Sequence, residues 1–428
     1  MTAWPTSKPR LTTEIFPVTI LFGLQYGALV VFPAVTHDTH PFGLILMICA
    51  VGVGTAFVVE AIRAPLARRD VRPIAISPAS AIWIVRVGWL AAIGGAVTSG
   101  VAYANQTTQA NPSHIAALFT PLTGWVIIGT VLVMAQAAHG AISRARAWRV
   151  ILTGFALELA VSLKDAILSS VVSYFFVVTF LAVVLGFIKW RWVVVALFAI
   201  PIVLPALYNL KSQERNAISP IAQPGQKLNY GDRLRLDREM AQVEDFPTIP
   251  ARGINPPSLP TLLLFGLVPR AFDQSRGTLN TGEHLSVAVG GSATSSDTAT
   301  TFGDAYIING WNGLVLYSGL SALIAGMAVR RRGPWAFALL GVIAQTCLLV
   351  EEPYPDMLAG FLQGCASWAA ALVIVQLLSR VRTHAQADAD QHPEPGRNTE
   401  YEYDSGSGLT GNSSEIHPAG RSVTTRYG

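Results

Sequence analysis

Residues 41–72 read PFGLILMICAVGVGTAFVVEAIRAPLARRDVR: twenty-two residues with one charge, Glu60, followed by ten that hold four arginines. A helix of twenty-two residues rises roughly 33 Å, enough to cross a hydrocarbon core about 30 Å thick. Closed by Arg63, Arg68, Arg69 and Arg72, the stretch reads as a membrane crossing whose end is held on one side by its cations. The rest of the 428-residue chain has the same character, with 51% hydrophobic and only 13% charged residues. Soluble domains carry about 25% charged residues. That composition excludes an ordinary soluble protein, and the recurrence of apolar stretches excludes a soluble enzyme with one anchor.

Ten candidate helices emerge, at 14–35, 41–62, 80–104, 115–138, 148–163, 166–188, 192–210, 305–329, 335–350 and 356–379, of which the fifth and ninth are short. The first lacks a small-x-small cleavage site at its flank and is kept as a helix rather than a signal peptide. Threading the chain with its N-terminus inside gathers sixteen Lys and Arg residues of the short loops and helix ends on the cytoplasmic side, among them Arg63, Arg144, Arg146 and Arg149. The opposite short loops hold only Lys164. The expected fold class is therefore an all-α polytopic membrane protein of about ten transmembrane helices, N-in/C-in, with one large extracytoplasmic loop. It divides into a seven-helix region over 1–210, the loop at 211–304, a three-helix region over 305–382 and a disordered cytoplasmic tail at 383–428.

The net charge of +4 gives no support to nucleic-acid binding. Cys49, Cys347 and Cys365 all lie in apolar segments, which argues against a disulfide framework or a thiolate metal site.

Loops of more than about fifteen residues are usually functional or disordered, and the 211–304 loop mixes nine basic with ten acidic residues. Arg235 and Arg238 lie three apart, on one face of a short helix. Two guanidiniums so placed suit a diphosphate, because each offers a planar fork of donors; a solvated helix with Arg–Glu pairs is the alternative. The apolar run 261–269 is too short to span and reads as an interfacial segment, packed on the bundle or lying beside a lipid. Arg86 falls in mid-helix, where a charge needs a partner or water, so it is a candidate for lining a lipid-diphosphate cavity or for an internal pair. Lys164 is a candidate phosphate contact or a turn marker. His37, Asp38 and His40 resemble a zinc cluster in spacing, but no further ligand is evident and no metal is expected. Glu60 reads as an interfacial pair with Arg63.

The run Val268-Pro269-Arg270-Ala271-Phe272-Asp273-Gln274-Ser275-Arg276 leads through a Gly/Ser/Thr-rich stretch into Phe302-Gly303-Asp304-Ala305-Tyr306 and Asn309-Gly310-Trp311-Asn312-Gly313. Here the sequence resembles the bacterial Wzy-type O-antigen and oligosaccharide repeat-unit polymerases. In that family a proline–arginine turn closes the large outer loop and a Ser/Thr-rich link enters the next helix. The resemblance covers the architecture loosely and 268–313 more closely; Asp304 stands where Glu is more usual, and Arg276 where Lys-Pro is often found. It implies a fold related to the C-type (GT-C) glycosyltransferases, placement in the bacterial plasma membrane, a polyprenyl-diphosphate-linked oligosaccharide as substrate, no cofactor, and a chain-length regulator and flippase as partners.

In that reading Arg270 and Arg276, with Arg235, Arg238, Arg86 and Lys164, bind the departing diphosphate, while His284 or the adjacent Glu283 takes the acceptor proton. The family's acidic residue in the first outer loop makes Asp38 a further candidate base. Two other functions share parts of the pattern. A ligase of the O-antigen type differs only in acceptor. A transporter or lipid-linked oligosaccharide flippase would be expected to show half-repeats and broken helices at mid-membrane, and the sequence displays neither.

Overall fold

The structure, a computed structural model, describes residues 16–63, 76–99, 114–165, 169–189, 236–244, 299–330, 333–350 and 354–391, with single or paired positions at 191, 206, 209–210, 213, 260–261, 264 and 268. Helices and turns account for these residues, with no strand among them. The chain divides into Met1–Leu378 and Ser379–Gly428; the described part of the second unit is the helical stretch 379–391.

Twelve helices are described: α1 (Pro17–Tyr26), α2 (Phe32–Thr36), α3 (Phe42–Arg63), α4 (Pro78–Thr98), α5 (His114–Thr123), α6 (Trp125–Ala138), α7 (Arg144–Asp165), α8 (Ser169–Val184), α9 (Leu236–Ala241), α10 (Thr300–Arg330), α11 (Pro334–Cys347) and α12 (Tyr354–Gln391). A π-helical turn, Gly27–Val31, joins α1 to α2. Pro33 lies just beyond it, and the wider turn accommodates a ring that would crowd an α-helical carbonyl.

Six stretches are long and apolar enough to cross a membrane: Pro17–Thr36, Phe42–Arg63, Pro78–Thr98, Leu118–Ala138, Thr300–Met327 and Ala359–Val381. Ser170–Val184 and Pro334–Cys347 are shorter apolar helices. The outward faces are apolar as well, with Leu90 68% and Val97 79% exposed, which suits contact with lipid rather than water. The protein is an α-helical, multi-pass membrane protein. The expected seventh crossing at 192–210 falls almost entirely outside the described residues.

Three boundaries differ from expectation. The helix expected from 305 begins at Thr300, because its first turn is anchored by hydrogen bonds rather than by apolar periodicity. The last helix runs to Gln391, nine residues into the segment expected to be disordered, where Ala and Gln favour helix despite the polar composition. The crossing expected over 115–138 is present as the stretch Leu118–Ala138, but it is built of two helices meeting at Gly124, with Pro121 in the last turn of α5.

Small residues let α4 and α6 approach closely. A Cβ on Gly129 of α6 would lie 2.6 Å from Cα of Val85, and one on Gly88 of α4 would lie 2.5 Å from the Val126 nitrogen. Glycine at both positions lets the α4 and α6 backbones touch. Around this pair pack fully buried Ile84, Ile128, Leu132 and Met134.

Contacts between helix ends follow an antiparallel alternation. Glu60 near the end of α3 meets Val18 and Thr19 at the start of α1, and Gln136 of α6 donates to the Ile76 carbonyl (2.8 Å) just before α4. At the other end Thr301 of α10 meets the turn after α11, and Lys164 of α7 meets Ser99 after α4. The first group belongs to the side that the cation asymmetry assigns to the cytoplasm.

Candidate functional site

At the opposite end, α10 starts with its amides inside the protein, where unpaired N–H groups would be costly. Each has a partner. The Asp304 carboxylate accepts from the Ala299 amide (3.0 Å), the Thr300 hydroxyl from Gly303 (3.3 Å), and Tyr26 Oη from Phe302 (2.9 Å). The Thr301 amide donates to the Val350 carbonyl (2.9 Å) and its hydroxyl to that of Leu349 (2.6 Å).

Thr300 sits at φ 67°, a strained conformation for a β-branched residue that persists because the bonds on either side of it fix the turn. The Phe302 ring stacks on Tyr26, with centroids 3.8 Å apart and planes within 7°. A Cβ on Gly52 of α3 would strike that ring.

From the first helix Gln25 completes the frame, donating to the Leu348 carbonyl (2.6 Å) and accepting from the Val350 amide (3.2 Å). Tyr317 donates to the Cys347 carbonyl. The Phe302-Gly303-Asp304 motif thus has a defined structural task here: aromatic contact, close packing and capping.

Beside this frame lies α9, a helix of the large loop. Asp237 of α9 is fully buried and accepts from the Thr39 hydroxyl at 2.5 Å. Met240 and Cys49 bring their sulfur atoms to 3.9 Å. Asp38, exposed and at φ 49°, makes the turn between α2 and α3, a left-handed position that Asp tolerates. Arg238 is exposed on α9. Two candidates from segments about 200 residues apart in sequence, Asp38 and Arg238, therefore flank the single Thr39–Asp237 bond.

The other candidates divide. Arg235, Arg270, Arg276, Glu283 and His284 lie outside the described residues. Lys164 is half-buried and donates to the Ser99 carbonyl (3.2 Å), the Ser99 hydroxyl (3.1 Å) and Asp165 (3.2 Å), so its ammonium joins the ends of α4 and α7. Arg86 does not join it. It lines a hollow of about 560 Å³ with Arg146 and Arg149, toward the opposite end of the same two helices. The fifteen residues from Arg149 to Lys164 span roughly 22 Å of helix, so the structure places Arg86 and Lys164 toward different ends of the pair.

Glu60 is likewise more than an interfacial partner for Arg63. It is fully buried, and its carboxylate accepts from the Val18 amide (3.0 Å), the Thr19 amide (3.1 Å) and the Thr19 hydroxyl (2.7 Å), capping α1. No group of three His, Cys, Asp or Glu able to hold a metal occurs among the described residues; His37 and His40 are both exposed.

The expectation of unbroken helices is also corrected. Inside α10, Asn309 (φ −133°, ψ 18°) and Gly310 (φ 60°, ψ −150°) leave the helix, nine residues or roughly 14 Å from its start. Gly310 occupies a conformation that only glycine adopts readily. Asn309, Trp311 and Asn312 are exposed there.

Sequence reasoning missed Gln25 and Tyr26, although a glutamine inside an apolar run was an available signal. It also read Arg146 and Arg149 for sidedness alone. Comparison with protein-family models, with curated proteins and with solved structures finds no match for this chain.

Proposed function

We propose that the protein is a glycan polymerase acting at the outer membrane face on repeat units carried by polyprenyl diphosphate. The observation that carries this reading is the Thr39–Asp237 bond, which seats part of the long loop on the first outer turn and brings Asp38 and Arg238 to one end of the bundle. A loop seated in this way favours an enclosed reaction site over a free linker. The resemblance over 268–313 supplies the chemistry.

In the reaction the acceptor sugar's hydroxyl oxygen bonds to the anomeric carbon of the growing chain as that carbon's bond to diphosphate breaks. The bonding pair leaves with the diphosphate, and the hydroxyl proton passes to His284 or Glu283, with Asp38 the further candidate. Arg270 and Arg276 bind the diphosphate as its charge grows.

Arg270→Ala and Arg276→Ala, assayed for polymer length in cells making the substrate, test this. Each substitution removes charge-assisted hydrogen bonds of about 1.5–3 kcal/mol, equivalent to roughly 10- to 150-fold in rate. Arg270→Lys restores activity in part, since it keeps the charge without the fork. Lipid-linked single units accumulate. Full-length polymer from both alanine variants ends the proposal.

A second reading, a transporter or flippase for lipid-linked oligosaccharide, is favoured by the break at Asn309–Gly310, because discontinuous helices near mid-membrane expose backbone groups to substrates. Gly310→Ala separates the two. Under the transport reading it abolishes movement of a fluorescent lipid-linked glycan across vesicles, whereas an enzyme shows no such movement in the wild type.

A further inference from the structure

The hollow between α4 and α7 lies toward the end of the pair away from Lys164. Three guanidiniums, those of Arg86, Arg146 and Arg149, line it, and no carboxylate does so among the described residues. Like charges gathered in one small volume repel, and the repulsion grows where the membrane lowers the local dielectric. Each of these arginines is exposed. The geometry points to an anion as the missing partner.

Position narrows the anion further. Arg86 lies eight residues into α4, roughly 12 Å of helix from its start at Pro78, while Arg146 and Arg149 fall in the first two turns of α7. A guanidinium at that depth reaches toward the interface, where the other two wait at headgroup level. The wall is divided in the same sense. Ser143 lies at the polar end, where its hydroxyl already accepts from the Arg146 amide (3.3 Å), and Val85, Trp89 and Val150 supply an apolar side. The N-terminus of α7, a helix of 22 residues, adds its positive dipole end.

We propose that this hollow binds a phosphate group on the cytoplasmic side. The planar forks of three arginines match phosphate oxygens, and basic pockets between helices on that side suit anionic headgroups. The phosphate is carried by a membrane lipid or is free in solution; both present the same oxygens to the same forks.

The test uses the full chain purified in neutral detergent. Phosphatidylglycerol, phosphatidylcholine and inorganic phosphate are titrated separately, and bound ligand is read by native mass spectrometry. Wild type is compared with Arg86→Ala, Arg146→Ala, Arg149→Ala and a control, Arg144→Ala. Arg144 lies 6.0 Å over the Phe187 ring and does not line the hollow.

Saturable retention of phosphatidylglycerol over phosphatidylcholine, weakened about 10-fold or more by each lining substitution and unchanged in the control, establishes a lipid site. The same pattern with inorganic phosphate alone establishes a site for a soluble anion. Equal retention by wild type and all variants overturns the proposal.

Should a variant lose its folded gel-filtration peak, wild type and Trp89→Phe are titrated with brominated phosphatidylglycerol. A saturable quenching difference that brominated phosphatidylcholine does not produce upholds the site, and its absence overturns it.

Discussion

At one end of the α4–α7 pair Lys164 directs its ammonium to Ser99 and Asp165, whereas toward the other Arg86, Arg146 and Arg149 surround a hollow lined by no described carboxylate. The same contrast holds across the bundle. The start of α10 is buried, and Asp304, Thr300, Tyr26 and the Val350 carbonyl accept its amides within the chain. Buried polar groups must be paired internally because water cannot reach them. Exposed cations are under no such demand. Polar residues that are closed off thus report how the protein is held together, and polar residues left open report what it meets.

The largest effect expected falls on the spine that both ends share. Gly129→Leu forces a branched side chain into the Val85 backbone, which cannot move aside as a flexible side chain would. Gel filtration in detergent is expected to show loss of the folded peak. A folded Gly129→Leu protein would mean that α4 and α6 do not touch through glycine, and the placement of Arg86 would lose its basis.

The assignment of ends to membrane sides is tested by an all-or-none result. In intact cells an impermeant maleimide should label a cysteine placed at Ser292 and not one placed at Ser413. Cys49 and Cys347 are buried and Cys365 is partly buried, so the labelling is done on a Cys365→Ser background. The reverse pattern would exchange the two ends and put the arginine hollow outside.

A smaller effect measures the contrast directly. Tyr26→Phe removes the acceptor of the Phe302 amide while preserving the stacked ring, leaving one buried N–H unpaired at a cost of about 1–3 kcal/mol. Arg146→Ala removes an exposed side chain and should change stability by less than about 0.5 kcal/mol. Equal losses in a thermal melt would erase the distinction between a closed end and an open one.

Six of the ten expected crossings were readable because lipid demands apolar runs of a set length, and the stretch 42–63 meets that demand almost without interruption. The wiring was not readable in the same way. Gln25 meets Val350, and Thr39 meets Asp237, across separations that no local pattern encodes. Arg86 was legible as a charge needing an explanation, but its neighbours were not, because Arg146 and Arg149 carry the same signature as any cations marking a cytoplasmic helix end. The break in α10 had a visible cause in Asn309-Gly310, yet the apolar residues on both sides of it present one continuous run.

The smallest effect expected is at the C-terminus. The helical stretch through Gln391 moves the natural truncation point past the polar boundary at 383, so the variant to make ends at Gln391. In residues 392–428 Leu409, Ile416 and Val423 are the only large aliphatic side chains, too few to offset the entropy of ordering thirty-seven residues. The melting temperature of the truncated protein should stay within about 2 °C of wild type. The run Glu400-Tyr401-Glu402-Tyr403-Asp404 gives this segment a separate use, because alternating acids and aromatics suit a basic, apolar partner surface. A truncation that melts normally but alters polymer length would assign the segment to such a partner. One that melts well below wild type would join it to the closed, self-satisfied part of the molecule.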